Sequence, residues 1–396
     1  MVPVEVHGTA RQPLGMPAAR FLRDYWQRRP LLVRQAFAGF EPPLAPDDLA
    51  GLACEDAALS RLVLRDAGRD RWTVQTGPFD EAAFAALPAD HWTLLVQDVD
   101  KWDADVAALL APFAFLPSWR IDDVMVSYAE DGGGVGAHVD QYDVFLLQGL
   151  GRRRWSIDTR PDAPQDCRDD VELKQLRHFE PDHAWLLEPG DMLYLPPGVP
   201  HDGVAVGACM TFSIGMRAPA AGELLLDFAE HLAERLPEQR RYTDAGLAPA
   251  RAPGEIDGAA LARVAAALGP AAAAMDDAAR ADWFGRFITR YRNAQLAAPP
   301  ARATSDAALA RALAAGAVLV RHPWTRLAWT RTARRAGNDA LLFASGHAYV
   351  CPTTLARRLC AEPRLRFADA PGEGQRAVLR ALLDDGHLVM QRRRRR

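Results

Sequence analysis

The chain has 396 residues, 49% of them hydrophobic, which is enough apolar side chain for at least one sizeable core and enough length for two or three domains. Its net charge of -4 hides an asymmetry: from 301 to 396, 18 arginines and no lysine stand against seven acidic residues (+11), so the first 300 residues carry -15. The opening MVPVEVHGTARQPLG has no basic region followed by an apolar run, no stretch approaches the ~20 apolar residues of a membrane helix, and five cysteines (Cys54, Cys167, Cys209, Cys351, Cys360) include no CxxC pair. A secretory signal, a membrane span, a disulfide framework and a zinc ribbon are therefore excluded, and a soluble cytoplasmic protein with reduced thiols is expected.

Residues 16 to 120 read as an N-terminal lid and first sheet. Pro17 to Arg28 has the apolar spacing of an amphipathic helix (Phe21, Leu22, Tyr25, Trp26), followed by a buried strand at Pro30 to Val33. Trp92 to Gln97 is a further strand and Asp103 to Phe113 a helix; Trp26, Trp72, Trp92, Trp102 and Trp119 are assigned to core and edge packing. From Ile121 to Met216 short strands alternate with Gly/Pro turns: Asp123 to Tyr128, Val144 to Leu147, Ala184 to Leu187, Met192 to Leu195 and Cys209 to Met216. Gly149-Leu150-Gly151 reads as a turn that reverses the chain, with Arg152 to Arg154 opening the next strand. The pattern fits a double-stranded β-helix of the cupin type, a barrel that presents ligands from separate strands at one mouth.

After Pro219 the character is helical. Glu223 to Leu236 carries Leu224, Phe228, Leu232 and Leu236 on one stripe, and Asp276 to Arg292 carries Trp283, Phe284, Phe287 and Ile288, with a Pro/Gly-rich loop between them. Ala297 to Ser305 is a linker by composition. Beyond it, helices at Asp306 to Ala315, Thr354 to Leu359 and Gln375 to Asp384 and strands around Val318 to Val320 and Leu341 to Phe343 make a small α+β unit. The overall class is α+β, divided as 1–220, 221–300 and 301–396. The basic end could lie against RNA, but only two lysines occur beside 45 arginines, so a general preference for arginine accounts for part of it. Arg392 to Arg396 reads as a solvated tail, and the acidic front as a steering field for a basic partner.

The chemistry concentrates in GGGVGAHVDQYDVFLLQGLGRRRW. On a strand, residues i and i+2 share a face, so His138 and Asp140 can reach one metal ion. His201, in GDMLYLPPGVPHDG, is the candidate third ligand, presented where an apolar strand runs into a Pro/Gly turn. Two histidines and a carboxylate form the facial triad of non-haem Fe(II) oxygenases, which leaves positions for a chelating co-substrate and O2. The arginine run can supply the guanidinium that pairs with a distal carboxylate. Strand parity puts Arg152 and Arg154 on one face and Arg153 with Trp155 on the other, and leaves open which face is the pocket. Ser127, Thr211 and Ser213 carry hydroxyls that can bond the co-substrate. His178 and His183, in HFEPDHAW, have no paired carboxylate and read as surface or turn residues.

HVDQYDVFLLQGLGRRRW, GDMLYLPPGVPHDG, WRIDDVMVSYAEDGGGVGAH and FLRDYWQRRPLLVR together resemble the bacterial members of the JmjC-type ribosomal oxygenase family, in particular its protein arginine 3-hydroxylases. The resemblance covers nearly the whole chain, is clearest from Phe21 to Arg217, and weakens beyond Asn293. It implies Fe(II) on His138, Asp140 and His201, with 2-oxoglutarate and O2 as co-substrates. It assigns the middle arginine, Arg153, to the co-substrate. It further implies a homodimer through the segment after Pro219, for which packing back on the barrel is the alternative. It also implies a winged-helix domain at the end, for which a structural or substrate-docking role is expected. The substrate implied is the β-carbon of an arginine in a large-subunit ribosomal protein, converted with release of succinate and CO2. A histidine-directed ribosomal hydroxylase and a JmjC-type N-methyl-lysine demethylase share the triad, the latter releasing formaldehyde; a non-catalytic cupin would need neither Arg153 nor an open coordination position.

Overall fold

A computed structural model describes residues 4–239, 241–245, 256, 258–273, 276–331, 339–369 and 371–391; the tail Arg392 to Arg396 lies outside these. The chain divides into two compact units, Met1–Ala218 and Pro219–Arg396.

The first unit is built on ten strands: β1 (Val4–His7), β2 (Leu31–Arg34), β3 (Ser60–Asp66), β4 (Arg71–Thr76), β5 (Trp92–Val96), β6 (Ile121–Ala129), β7 (Val144–Ile157), β8 (His183–Leu187), β9 (Met192–Leu195) and β10 (His201–Met216). They hydrogen-bond in the order β1-β2-β9-β7-β10-β6-β5-β3-β4, with β8 on β7. The expected separate first sheet is thus absorbed: β2 pairs with β9 and β5 with β6, so the N-terminal strands extend the sheet that carries the metal-binding motifs. The helix expected at Pro17 to Arg28 is regular over Ala18–Asp24, and the one at Asp103 to Phe113 breaks into Ala104–Ala108, capped by the Asp103 carboxylate, and a 3-10 turn at Ala111–Phe113, which holds Pro112.

The spine is the antiparallel pair β7 and β10, of 14 and 16 residues, in register from His201↔Ile157 to Gly215↔Val144. Gly149-Leu150-Gly151 does not reverse the chain. It is a β-bulge within a continuous strand: Val206 pairs with Arg152, Met210 with Leu150, and Thr211 with Gln148. Gly151 takes φ +60°, and a Cβ there would lie 2.0 Å from the Ala208 carbonyl oxygen, so only glycine lets the strands approach. Past the bulge β7 changes edge partners, from β9 along Val144–Leu147 to β8 along Arg153–Ile157.

The bulge also shifts the phase of β7 by one. Residues paired directly across a ladder share a face. Leu146 and Gln148 face the side of Ser213 and Thr211; beyond the bulge Arg153, Trp155 and Ile157 face the side of Ala205, Gly203 and His201. That side holds an apolar cluster of Leu32, Val144, Leu146, Trp155, Ile157, Leu187, Leu193 and Leu195. The alternating residues, among them Phe145, Leu147, Tyr194, Phe212 and Ile214, pack with Phe21, Tyr25 and Leu49 in the larger core.

The second unit opens with helices at Ala221–Ala233, Gly258–Ala273 and Asp277–Thr289. The middle one replaces part of the expected Pro/Gly loop. Its sequence, GAALARVAAALGPAAA, is dominated by the best helix former, with a sparse stripe of Leu261, Val264 and Leu268 at i, i+3 and i+7. Two three-stranded sheets follow: β11 (Val318–Arg321) lies between β15 (Arg364–Leu365) and β16 (Leu388–Gln391), and β13 (Asp339–Ala344) lies between β12 (Leu327–Arg331) and β14 (His347–Pro352). Helices at Asp306–Ala314, Thr353–Ala361 and Glu373–Asp384 supply Leu309, Leu313, Leu355, Leu359, Leu379 and Leu382 to one buried core.

Candidate active site

His138 and Asp140 lie in the segment between β6 and β7, not on a regular strand as expected, yet this segment runs beside the first half of β10. Gly132 N–H donates to Ala205 O (3.1 Å) and Ala205 N–H to Gly133 O (2.9 Å); His138 and His201 exchange backbone hydrogen bonds of 2.9 Å each; Gly198 N–H reaches Asp140 O at 2.8 Å. Between these ties Gln175 bridges the gap, its Nε2 donating to Val135 O (2.9 Å) while Leu176 N–H donates to Ala137 O (2.7 Å). The interrupted pairing leaves the i, i+2 geometry of the motif and frees its side chains from a ladder neighbour. Downstream the segment is pinned by Asp143, fully buried, whose carboxylate accepts from Tyr194 Oη (2.6 Å), Gln27 Nε2 (3.0 Å) and Arg120 Nη2 (3.1 Å).

His201 is the first residue of β10, not the end of the preceding strand, and its ring meets that of His138 with centroids 4.2 Å apart. The ligand atoms of His138, Asp140 and His201 all lie within 4.8 Å of one another, and His201 Nε2 is 3.7 Å from Asp140 Oδ2. Each imidazole is oriented by its own backbone: Nδ1 of His138 lies 2.9 Å from Gly136 O, and Nδ1 of His201 2.9 Å from Val199 O. A carbonyl only accepts, so Nδ1 carries the proton and Nε2 keeps its lone pair, as metal-bound histidines require. Burial pushes the Asp140 carboxyl up, against the opposing charge of His138, and burial together with His138 pushes the His201 imidazole well below its ordinary value. Two neutral imidazole nitrogens and one carboxylate, all converging, can hold one divalent ion with a face of its octahedron open.

Arg153 projects from the same side as His201 and is 3% exposed, whereas Arg152 and Arg154 are exposed. Its Nη2 donates to Gly203 O (2.9 Å) and its Nη1 to Ser127 Oγ (3.4 Å), but its buried Nε has no partner among the described residues, and no carboxylate in hydrogen-bonding range of the guanidinium is found among them. The nearby, largely buried Asp202 carboxyl is pushed up by burial and pulled down by the charge of Arg153, so the guanidinium is offset in part by a carboxyl that makes no ion pair with it among the described residues; a further anion would complete it. Ser127 accepts from Arg153 and so keeps its own proton for a further acceptor. Thr211 differs: its hydroxyl donates to Gln148 Oε1 (3.1 Å), a residue the motif reading passed over, so its proton is committed. Ser213, 8% exposed, stands two residues along the same face. His178 is exposed, and His183 opens β8 beside Asp182, neither reaching the triad.

Two histidines and one carboxylate that could hold one metal ion, on a cupin-type sheet with a buried cation on β7, form the arrangement expected of a non-haem oxygenase of the JmjC class. The comparisons agree. A JmjC domain model matches residues 108–224 and a ROXA-like winged-helix model residues 272–389. The ribosomal protein uL16 3-hydroxylase of Escherichia coli (strain K12) is 40% identical over 301 residues, covering 76% of this chain and 79% of that protein. A probable ribosomal oxygenase of Haemophilus influenzae is 39% identical over 209 residues, covering 52% and 50%. The E. coli ribosomal oxygenase YcfD, solved in complex with cobalt and 2-oxoglutarate, matches with a TM-score of 0.78 at 34% identity, covering 96% of this chain and 99% of that one. This chain belongs to the JmjC-type ribosomal oxygenase family.

Proposed function

We propose that this chain is an Fe(II)- and 2-oxoglutarate-dependent protein hydroxylase that oxidises the β-carbon of an arginine in the large-subunit ribosomal protein uL16. The observation that carries the reading is the convergence of His138, Asp140 and His201 on the sheet that also buries the guanidinium of Arg153, whose Nε has no partner among the described residues. His138, Asp140 and His201 hold the metal. Arg153 and Ser127 take the distal carboxylate of 2-oxoglutarate, Ser213 borders it, and Thr211 supports the wall through Gln148. When bound, iron, 2-oxoglutarate and O2 supply the oxidant: the co-substrate loses CO2 to become succinate, which keeps one oxygen atom, and the other is inserted into the substrate C–H bond. The protein's own work is to place that C–H bond and exclude water, and the apolar wall of Leu146, Ile157, Leu187, Leu193 and Leu195 does the latter.

The acidic first 300 residues suit a basic ribosomal substrate met in the cytoplasm, and no described helix is long and apolar enough to cross a membrane. The segment after Pro219 carries the homodimer contact in this reading. Leu225 and Leu226 on the helix Ala221–Ala233 are 68% and 74% exposed, and Leu261 and Leu268 on Gly258–Ala273 are 59% and 63% exposed, an apolar surface that needs a partner. Light scattering should give a dimer that Leu225→Glu with Leu226→Glu converts to monomer. Activity is tested by intact-mass spectrometry of ribosomal proteins from cells with and without the gene. The expected result is one oxygen mass lost from uL16 alone. Formaldehyde release from a methyl-lysine peptide, with uL16 unchanged, would replace hydroxylation by demethylation.

A further inference from the structure

We propose that the indole N–H of Trp155 is a second donor to the distal carboxylate of the co-substrate, beside Arg153. The inference rests on the reading of the site given above and adds a residue to it. Trp155 is 5% exposed, and its Nε1 is buried without a partner among the described residues. An indole N–H can only donate, and a buried tryptophan normally finds an acceptor because leaving the donor dry costs about 1–3 kcal/mol. The missing partner is therefore an acceptor that the described residues do not provide.

The surroundings specify what that acceptor is. Trp155 lies two residues from Arg153 on the same face of β7, with the guanidinium carbon 5.1 Å from its ring centroid. Its ring centroid is 5.9 Å from that of His201, so the indole has both the cation and a candidate metal ligand as neighbours. Gly203, directly across the ladder, makes room for both: a Cβ there would lie 2.6 Å from the Trp155 ring and 2.7 Å from Arg153 Nε. Two buried donors without a partner among the described residues, Arg153 Nε and Trp155 Nε1, thus belong to neighbouring side chains on one face of β7, and Arg153 also reaches the Ser127 hydroxyl. Trp155 belongs to an apolar cluster with Ile157, Leu187, Leu193 and Leu195, surroundings that strengthen a hydrogen bond made there to an anion. A monocarboxylate end satisfies both donors; a neutral group would satisfy the indole and leave the guanidinium only partly offset.

The test uses the full-length protein loaded with Mn(II) under nitrogen, titrated calorimetrically with 2-oxoglutarate and with 2-oxopentanoate, which keeps the chelating end and lacks the distal carboxylate. Trp155→Phe retains the ring stacked on Arg153 and removes only the donor. It should weaken 2-oxoglutarate by at least about tenfold, the effect of one hydrogen bond to a charged group, and leave 2-oxopentanoate within twofold of wild type. An equal loss for both ligands, or no loss for either, overturns the proposal. In wild-type protein labelled with 15N-tryptophan and loaded with diamagnetic Zn(II) in place of Mn(II), the indole resonance missing from Trp155→Phe should move downfield when 2-oxoglutarate is added and not with 2-oxopentanoate; an unmoved resonance also overturns it, independently of how the variant folds. If wild type binds 2-oxoglutarate and Arg153→Ala does not, the co-substrate reading stands even where Trp155→Phe shows no effect. If wild type binds no 2-oxoglutarate, both fall together.

Discussion

Replacing Gly151 by alanine tests whether the bulge in β7 builds the site. Two costs are legible. An L-residue at φ +60° costs about 1–2 kcal/mol. The added Cβ would sit 2.0 Å from Ala208 O, a backbone atom that cannot swing aside, so the β7–β10 ladder must open locally, at a further cost of about 1–3 kcal/mol. Gly207, on the facing strand, is the control: it has φ +71° but nothing within 4 Å of its Cβ position, so alanine there incurs the first cost alone. At roughly 2–4 °C per kcal/mol for a unit of about this size, Gly151→Ala should lower the melting temperature by about 10 °C and Gly207→Ala by about 4 °C. Because Arg153 faces inward only by virtue of the phase shift at the bulge, Gly151→Ala should also weaken 2-oxoglutarate binding about tenfold or more, with Gly207→Ala unchanged. Calorimetric melting and ligand titration on the same samples decide it. Equal losses at both positions would refute the close-approach reasoning, and a destabilised Gly151→Ala with undiminished 2-oxoglutarate affinity would refute the link between bulge and pocket.

Arg153→Ala should raise the 2-oxoglutarate requirement about 10- to 100-fold by leaving a carboxylate unpaired in a dry slot, while Arg152→Ala, on the exposed face, stays within twofold; the reverse ranking would place the cation on the wrong arginine. Either His138→Ala or Asp140→Ala should reduce Mn(II) binding from one ion per chain to none with the metal-free melting temperature little changed, and iron-dependent turnover surviving in both would dismiss the triad. Burial pushes the Asp182 carboxyl up, but hydrogen bonds from the Thr159 hydroxyl and backbone, with His183 beside it, outweigh this and hold it at about 2. Its folded value lies below the unfolded one near ~3.9, so its contribution is complete above about pH 4 and lost as pH falls towards 2. The melting-temperature gap between wild type and Thr159→Val should therefore narrow across that window, and a gap constant from pH 5 to 2 would show that Asp182 is not the linked group.

What could be read from the residues and what could not divide along the range of the interactions involved. The convergence of His138, Asp140 and His201 could be read because the triad pattern draws on few side-chain types and because glycines and prolines mark where the backbone brings them close. The strand at Met192–Leu195 and the helix at Asp306–Ala314 are visible for a similar reason, since period and caps are local. Gly258–Ala273 escapes because its helicity comes mainly from alanine, with only Leu261, Val264 and Leu268 to mark a face. Gln148 escapes because its partnership with Thr211 joins residues 63 apart, for which a single sequence holds no signal. The bulge is the instructive case. Period-2 alternation assigns Arg153 and Trp155 one face and Leu147 the same one, yet Leu147 belongs to the outer core and Arg153 to the pocket. One inserted residue at Gly149–Gly151 breaks the count, and what looked like a turn between two strands is the device by which a single strand supplies apolar wall on one half and a buried cation on the other. Glycine pairs inside an otherwise apolar strand, followed by consecutive charges, are better read as a change of phase than as a change of direction, because only the former lets a guanidinium enter a core from a strand whose flanks are Val, Leu and Trp.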